Sequence, residues 1–266
     1  MNFYLFYITV FIFGMCIGSF ANVCIYRLPL SKSIVTPRSS CVNCGNMIRF
    51  YDNIPIISYL ILKGHCRYCK VKISFRYPMV EVISGLFALC VVLKFGLSIK
   101  ALIYFSFIIS LIIITYIDID YQIIPDEISL SGIPIGFIAS FGIPDISYLD
   151  SIFGILLGGG SLYLVGLIYS LIRGEEGMGG GDVKLLAMIG AFIGWKGVIF
   201  TVFTASAAGS LVGIPLMFIK SQNMKLKIPF GPFLAVGAIT YLFWGQQIIY
   251  LYFQFIRAPY GSTLSF

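Results

Sequence analysis

A chain of 266 residues that is 59% hydrophobic and 11% charged, with a mean hydropathy of +0.95, lies well outside the range of soluble domains of its length. Its place is a bilayer. The net charge of +7 then reads as membrane topology and contact with anionic lipid, with no nucleic-acid partner implied.

In chain order, uncharged runs long enough to cross hydrocarbon cover residues 1–26, 101–117, 128–143, 151–172, 197–219 and 228–256. Two weaker segments, 77–93 with the single charge Glu81 and the short 183–195 with Lys184 near its start, bring the expected number of spans to about eight. The first run lacks a basic n-region and carries no charge before Arg27, which is the pattern of a retained helix and not of a cleaved signal peptide. Backbone amides in lipid must be satisfied within the segment, so these runs predict helices; the short alternating strands of a barrel are absent. The expected fold is an all-α polytopic membrane protein. It has a first helix over 1–27, one small cytoplasmic insert over 28–76, and a helical bundle over 77–266.

The insert also sets orientation. From Arg27 to Arg76 it carries nine Lys or Arg against one acid, Asp52, so the positive-inside rule assigns it to the cytoplasm. Threading eight spans from there leaves both termini outside and only Lys94, Lys100, Lys196 and Arg257 among the basic residues on the outer side.

Four of the seven cysteines form two Cys-x-x-Cys pairs in the insert, Cys41/Cys44 and Cys66/Cys69, each set among turn-forming or basic neighbours such as Gly45 and Lys70. This is zinc-ribbon spacing: two knuckles supply four thiolates for a tetrahedral ion, and a segment too small for its own core takes its folding energy from the metal. A redox pair or two disulfides are the alternatives, and both fit poorly with a reducing compartment. His65 neighbours Cys66, but four thiolates already fill a zinc site. Cys16, Cys24 and Cys90 lie in or at the ends of apolar spans and read as packing residues.

Only 11 acidic residues exist, so their placement carries information. Asp118 and Asp120 close the third predicted span, Asp126 and Glu127 open the next, and Asp182 follows the glycine-rich run Gly177, Gly179, Gly180 and Gly181. A carboxylate at the edge of hydrocarbon is costly and suggests function, although a lone aspartate at a helix end is more often an ordinary interfacial residue. Two features favour function here. Glycines remove side chains where the backbone must come close to something such as an extended substrate. Asp182 would also open a helix, where the macrodipole favours its anion, while Asp118 would close an apolar helix, where desolvation favours the neutral acid. Opposed surroundings suit two carboxylates that share one proton. Whether the two meet in space is not readable from spacing.

Ordered motifs run over nearly the whole chain. They are Gly18-Ser-Phe-Ala-Asn22, Arg27-Leu-Pro29, Pro37-Arg-Ser-Ser-Cys41, Asn53-Ile-Pro55, Ser74-x-Arg76-Tyr77-Pro78-x-x-Glu81, Asp118-x-Asp120, the Gly-x-Gly-Asp box ending at Asp182, and Ile228-Pro-Phe-Gly-Pro232. In these the chain resembles the bacterial type IV prepilin peptidases, most closely their Gram-positive competence-type members. The resemblance implies that Asp118 and Asp182 are catalytic, with Asp120, Asp126 and Glu127 supporting them or capping helices. It also implies that the substrates are prepilins or pseudopilins, cut after a glycine at the cytoplasmic face of the plasma membrane. Many members go on to methylate the new N-terminus with S-adenosylmethionine; for that activity the matching positions are Gly18, Asn22, Arg27, Arg76 and Glu81. A plainer reading of these is that Asn22 and Glu81 pair with Arg27 or cap helices. Cleavage by two aspartates needs no metal, so the implied zinc is structural. Competing assignments are a presenilin-like protease, which leaves the knuckles without a purpose, a transporter using carboxylates as ion sites, and a non-catalytic scaffold.

Overall fold

The computed structural model of the chain describes residues 3–174, 179–220 and 229–257; Gly177 and Ile228, singled out above, fall outside them. Eight α-helices and two short 3-10 turns, Leu28–Leu30 and Phe50–Asn53, occur among the described residues. The α-helices are α1 (Phe3–Arg27), the short α2 (Ile57–Ile61), α3 (Arg76–Phe95), α4 (Ile99–Tyr121), α5 (Asp126–Ser140), α6 (Tyr148–Arg173), α7 (Gly180–Lys220) and α8 (Gly231–Arg257). No strand accompanies them in those residues, only two isolated β-bridges in the insert. The chain divides into two compact units, Met1–Ile128 and Ser129–Phe266.

Six of the helices are long and apolar enough to cross a membrane, namely all except α2 and α5. The protein is therefore all-α and multi-pass. The eight predicted segments map onto seven helices, because 183–195 and 197–219 are both parts of α7. That helix is broken at Gly194, whose φ of 70° and ψ of 176° are non-helical and open only to glycine at low cost. Helix α5 has 15 residues, about 22 Å of rise against a hydrocarbon core of about 30 Å, which is why it falls short as a span by length.

In lipid, apolar faces gain little by leaving the solvent, and helices associate instead where small residues let backbones approach. Three Gly-x-x-x-Gly pairs do this. In the first unit, Gly14 and Gly18 of α1 face α3: a Cβ added at Gly14 would lie 2.6 Å from the Ala88 Cβ, and one at Gly18 would lie 2.8 Å from the Ser84 Cβ. In the second unit, Gly132 and Gly136 of α5 receive Met188, Ala191 and Phe192 of α7. Gly154 and Gly158 of α6 meet the α7 backbone itself, at the Gly190 and Leu186 carbonyls. The buried residues of α6 are Ser151, Gly154, Gly158 and Leu162, while Phe153, Leu156, Tyr163 and Leu164 point outward. This pattern, small inside and large apolar outside, is that of a helix solvated by lipid. At its start Ser147 and Asp150 form a capping box, and Asp150 also accepts a 3.0 Å hydrogen bond from the Trp195 indole next to the α7 break.

In the first unit the most buried helix is α4, with Phe107, Ile108, Leu111, Ile114 and Ile117 fully enclosed. Ser98 caps its start, accepting from the Ala101 amide at 3.2 Å. At the other end Gln122 turns left-handed and its amide closes on the Asp118 carbonyl at 2.9 Å. Of the three cysteines read as packing residues, only Cys24 is buried; Cys16 and Cys90 are exposed on their helices, because each falls on the large-residue face of its span.

Candidate active site and metal centre

The two Cys-x-x-Cys segments fold alike. In each, the amide of the first cysteine donates to the carbonyl five residues on, Cys41 to Asn46 and Cys66 to Val71, both at 2.9 Å. The carbonyl of that cysteine accepts from the residue four on, Gly45 at 2.9 Å and Lys70 at 3.1 Å. A β-bridge closes each loop, Ser40 with Met47 and His65 with Lys72. Gly45 and Lys70 both sit at positive φ, 69° and 56°, which is free for the glycine and costs the lysine about 1 kcal/mol.

These loops bring all four Sγ atoms within 4.8 Å of one another, with Cys41 and Cys69 at 3.8 Å. Thiolates bound tetrahedrally at about 2.3 Å from a zinc ion stand about 3.8 Å apart, so the donor set fits such an ion in number, chemistry and spacing. Amide donors lie around the sulfurs: Asn43 Nδ2 is 3.7 Å from Cys69 Sγ and Asn46 Nδ2 is 3.5 Å from Cys44 Sγ. Hydrogen bonding from the Val71 amide, helped by Asn43, lowers the Cys69 thiol to about 6, the direction that favours the thiolate a metal would take. His65 is exposed and its ring faces the Lys63 carbonyl. The insert is braced by a bidentate pair, Arg67 donating to both Asp52 oxygens at 2.7 and 2.6 Å. Arg67 thereby holds the Asp52 carboxyl below its usual range.

Between the insert and the adjoining ends of α1 and α3 lies a cavity of about 470 Å³, lined by Asn22, Tyr26, Arg27, Tyr77 and Glu81 from the helices and by Cys41, Tyr59, Cys66 and Ile73 from the insert. Three of the five residues assigned to methyl transfer, Asn22, Arg27 and Glu81, line it. Gly18 is instead packed on α3, and Arg76 turns away to α4. Asn22 and Glu81 each find a partner other than Arg27. Asn22 Nδ2 donates to the Tyr77 carbonyl at 3.0 Å, and Arg27 donates to the Ser33 and Pro37 carbonyls at 2.9 and 2.8 Å. Glu81 Oε2 accepts from the Ile56 amide at 2.8 Å.

That last contact involves an unusual turn. Ile56 has φ 62° and ψ −51°, and the Ile57 amide closes on the Pro55 carbonyl at 2.6 Å. This is the rare γ-turn, at a β-branched residue. Such conformations cost roughly 1–3 kcal/mol and persist only where the surroundings dictate them. Nothing in the residue type signals the turn; sequence reasoning passed over Ile56, which lies 25 residues from its partner.

In the same unit, Asp118 ends α4 with only 5% of its surface exposed. The next turn is held from α3: Arg76 pairs with Asp120, donates to the Tyr116 carbonyl at 3.2 Å and stacks over the Tyr116 ring at 4.4 Å. Asp126 and Glu127 occupy the first turn of α5, where the helix dipole favours anions. Asp182 belongs to the second unit, in the first turn of α7, and its amide donates to the Gly179 carbonyl at 3.1 Å. A Cβ added at Gly179 would touch only Asp182 Oδ2, at 3.6 Å, and one at Gly180 would touch nothing within 4 Å. Neither glycine is demanded by packing.

Two family models match along the chain: the bacterial peptidase A24 N-terminal domain over residues 12–95, and the type IV leader peptidase family over residues 105–214. The first contains the insert and the cavity, the second both aspartates. The chain belongs to the type IV leader peptidase family. Membership makes it a membrane peptidase, and its relatives agree in extent as well as sequence. Proteins named prepilin leader peptidase/N-methyltransferase are 36% identical in Pseudomonas putida (89% of this chain, 90% of the relative) and 36% in Stutzerimonas stutzeri (95% of each). The one from Pseudomonas aeruginosa is 35% identical over 94% of each. No solved structure matches the chain.

Proposed function

We propose that this protein removes the leader peptide of prepilins or pseudopilins, cutting after a glycine at the cytoplasmic face of the plasma membrane with Asp118 and Asp182. It then methylates the new N-terminus with S-adenosylmethionine. The observation that carries the reading is the end-to-end match to bifunctional relatives, with both aspartates inside the peptidase segment. Orientation is supported by the basic insert.

In the proposed reaction the two carboxylates share one proton and hold a water. The ionised member takes a proton from that water as it attacks the glycine carbonyl, and the protonated member donates to the oxyanion or the leaving amine. The glycines before Asp182 leave room for an extended substrate backbone. Zinc held by Cys41, Cys44, Cys66 and Cys69 orders the insert and takes no part in cleavage. The cavity bounded by Asn22, Arg27 and Glu81 is the place proposed for the methyl donor's reaction.

The test is cleavage of a co-expressed pilin-like substrate followed by mass spectrometry of its N-terminus. Asp118→Asn and Asp182→Asn should each lower cleavage by at least about a thousandfold, and near-normal cleavage by either removes the pair. A mature N-terminus without a one-methyl increment removes the second activity.

A further inference from the structure

We propose that Glu81 is the receptor for a primary ammonium group, the free N-terminus left on the substrate by cleavage, and that it accepts the proton this amine must lose before it can be methylated. The inference rests on the methyl-transfer reading above and gives that site its acceptor-binding residue.

Glu81 is 8% exposed and borders the 470 Å³ cavity, a volume within the range of small-ligand sites. Its hydrogen-bond partners are neutral donors, the Ile56 amide at 2.8 Å and the Ser19 hydroxyl. Among the described residues no lysine, arginine or histidine forms an ion pair with it. Of the cations in the lining, Arg27 is committed to the Ser33 and Pro37 carbonyls and Arg67 to Asp52. A buried carboxylate held by neutral dipoles lacks a countercharge, and a cationic guest is what completes it. The strained turn at Ile56 fits the same purpose, because it aims an amide that fixes one carboxylate oxygen while leaving the side chain at the cavity wall. The helical part of that wall combines Val23 and Pro78 with Glu81, matching a chain end whose first residues are apolar and whose terminus is charged.

The step balances as follows. One N–H bond of the ammonium breaks and the proton passes to Glu81. The freed nitrogen lone pair attacks the methyl carbon of a sulfonium donor, the C–S bond breaks, and its electron pair stays on sulfur, which becomes a neutral thioether. The product is a secondary ammonium, and Glu81 returns its proton to water.

The decisive measurement uses the full-length protein in nanodiscs and a synthetic peptide beginning at the mature residue, with either a free or an acetylated N-terminus. Wild type should bind the free amine at least about tenfold more tightly, and Glu81→Gln should abolish that preference. Methyl transfer by Glu81→Gln should fall by about 100-fold, the scale of a lost general base, with leader cleavage within about twofold of wild type. Equal binding of the two peptides by wild type overturns the proposal without recourse to any variant. So does a preference that survives in Glu81→Gln, or a variant whose only change is a weaker apparent affinity for the methyl donor. If wild type prefers the free amine but transfers no methyl group, the ammonium site stands and the methyl-transfer reading falls.

Discussion

The left-handed residues of the two knuckles form a natural experiment on backbone strain. Gly45 and Lys70 occupy equivalent places in loops with the same hydrogen bonds, and a Cβ at Gly45 would meet no atom within 4 Å. Gly45→Ala therefore changes conformation energy alone and should weaken the insert by about 1 kcal/mol. Lys70→Gly, at an exposed position, should strengthen it by about 0.5 kcal/mol once the glycine's extra unfolded-state entropy is counted. The chelator concentration that releases half of the metal should move down in the first variant and up in the second. Asp52 makes a pH prediction in the same segment. Because Arg67 lowers its folded value, the pair's contribution is complete above the unfolded carboxyl's range of about 3.9 and is lost as pH falls through the lower folded value. Asp52→Asn should remove that part of the insert's acid sensitivity, measured by metal release between pH 5 and pH 2, roughly the window of a depressed aspartate.

At the scale of elements, what was legible in the sequence was whatever is local. Cys-x-x-Cys spacing encodes a knuckle within a few residues, and an uncharged run of some twenty encodes a helix. The break at Gly194 was legible as the boundary between 183–195 and 197–219 at Lys196, but not as a kink within one helix, because hydropathy does not record φ. Contacts between segments were not legible: Glu81 with Ile56, and Arg76 with Asp120 across 44 positions, depend on how α3 lies against its neighbours. The Arg76 contact has a consequence for catalysis under the proposed mechanism, since Asp120 is two residues from Asp118. Arg76→Ala should reduce cleavage about two- to fivefold, in keeping with a partly exposed pair. Adding Asp120→Ala should cost little more, the non-additivity of two residues acting through one contact. Full additivity would mean that Arg76 acts elsewhere. The α6–α7 crossing makes the complementary prediction for stability. Gly154→Ala drives a methyl group into the Gly190 carbonyl and should lower the thermal unfolding temperature in detergent, at an overpacking cost of about 1–3 kcal/mol, while the equally helical Gly160→Ala, with nothing within 4 Å, should not.

For the whole molecule, the question is what a metal held by the four cysteines would support. The helices of the first unit do not need it: α1 meets α3 through Gly14 and Gly18 against Ala88 and Ser84, and α4 buries its own apolar side chains, none of which involves the insert. Under the proposed zinc site the cavity would need it, because Cys41 and Cys66 stand in its wall beside Tyr59 and Ile73, and a segment this small gains its folding energy from a bound ion. Chelation of the intact protein should therefore leave far-UV circular dichroism at the helical wavelengths nearly unchanged while abolishing the binding of a free-amine mature peptide. Cleavage by an aspartate pair without metal chemistry should outlast that loss, at least for substrates added at saturating concentration. The order of losses is the test. If cleavage and peptide binding disappear together as metal leaves, the insert serves both reactions, and the separation of a metal-ordered acceptor site from a metal-independent peptidase is wrong.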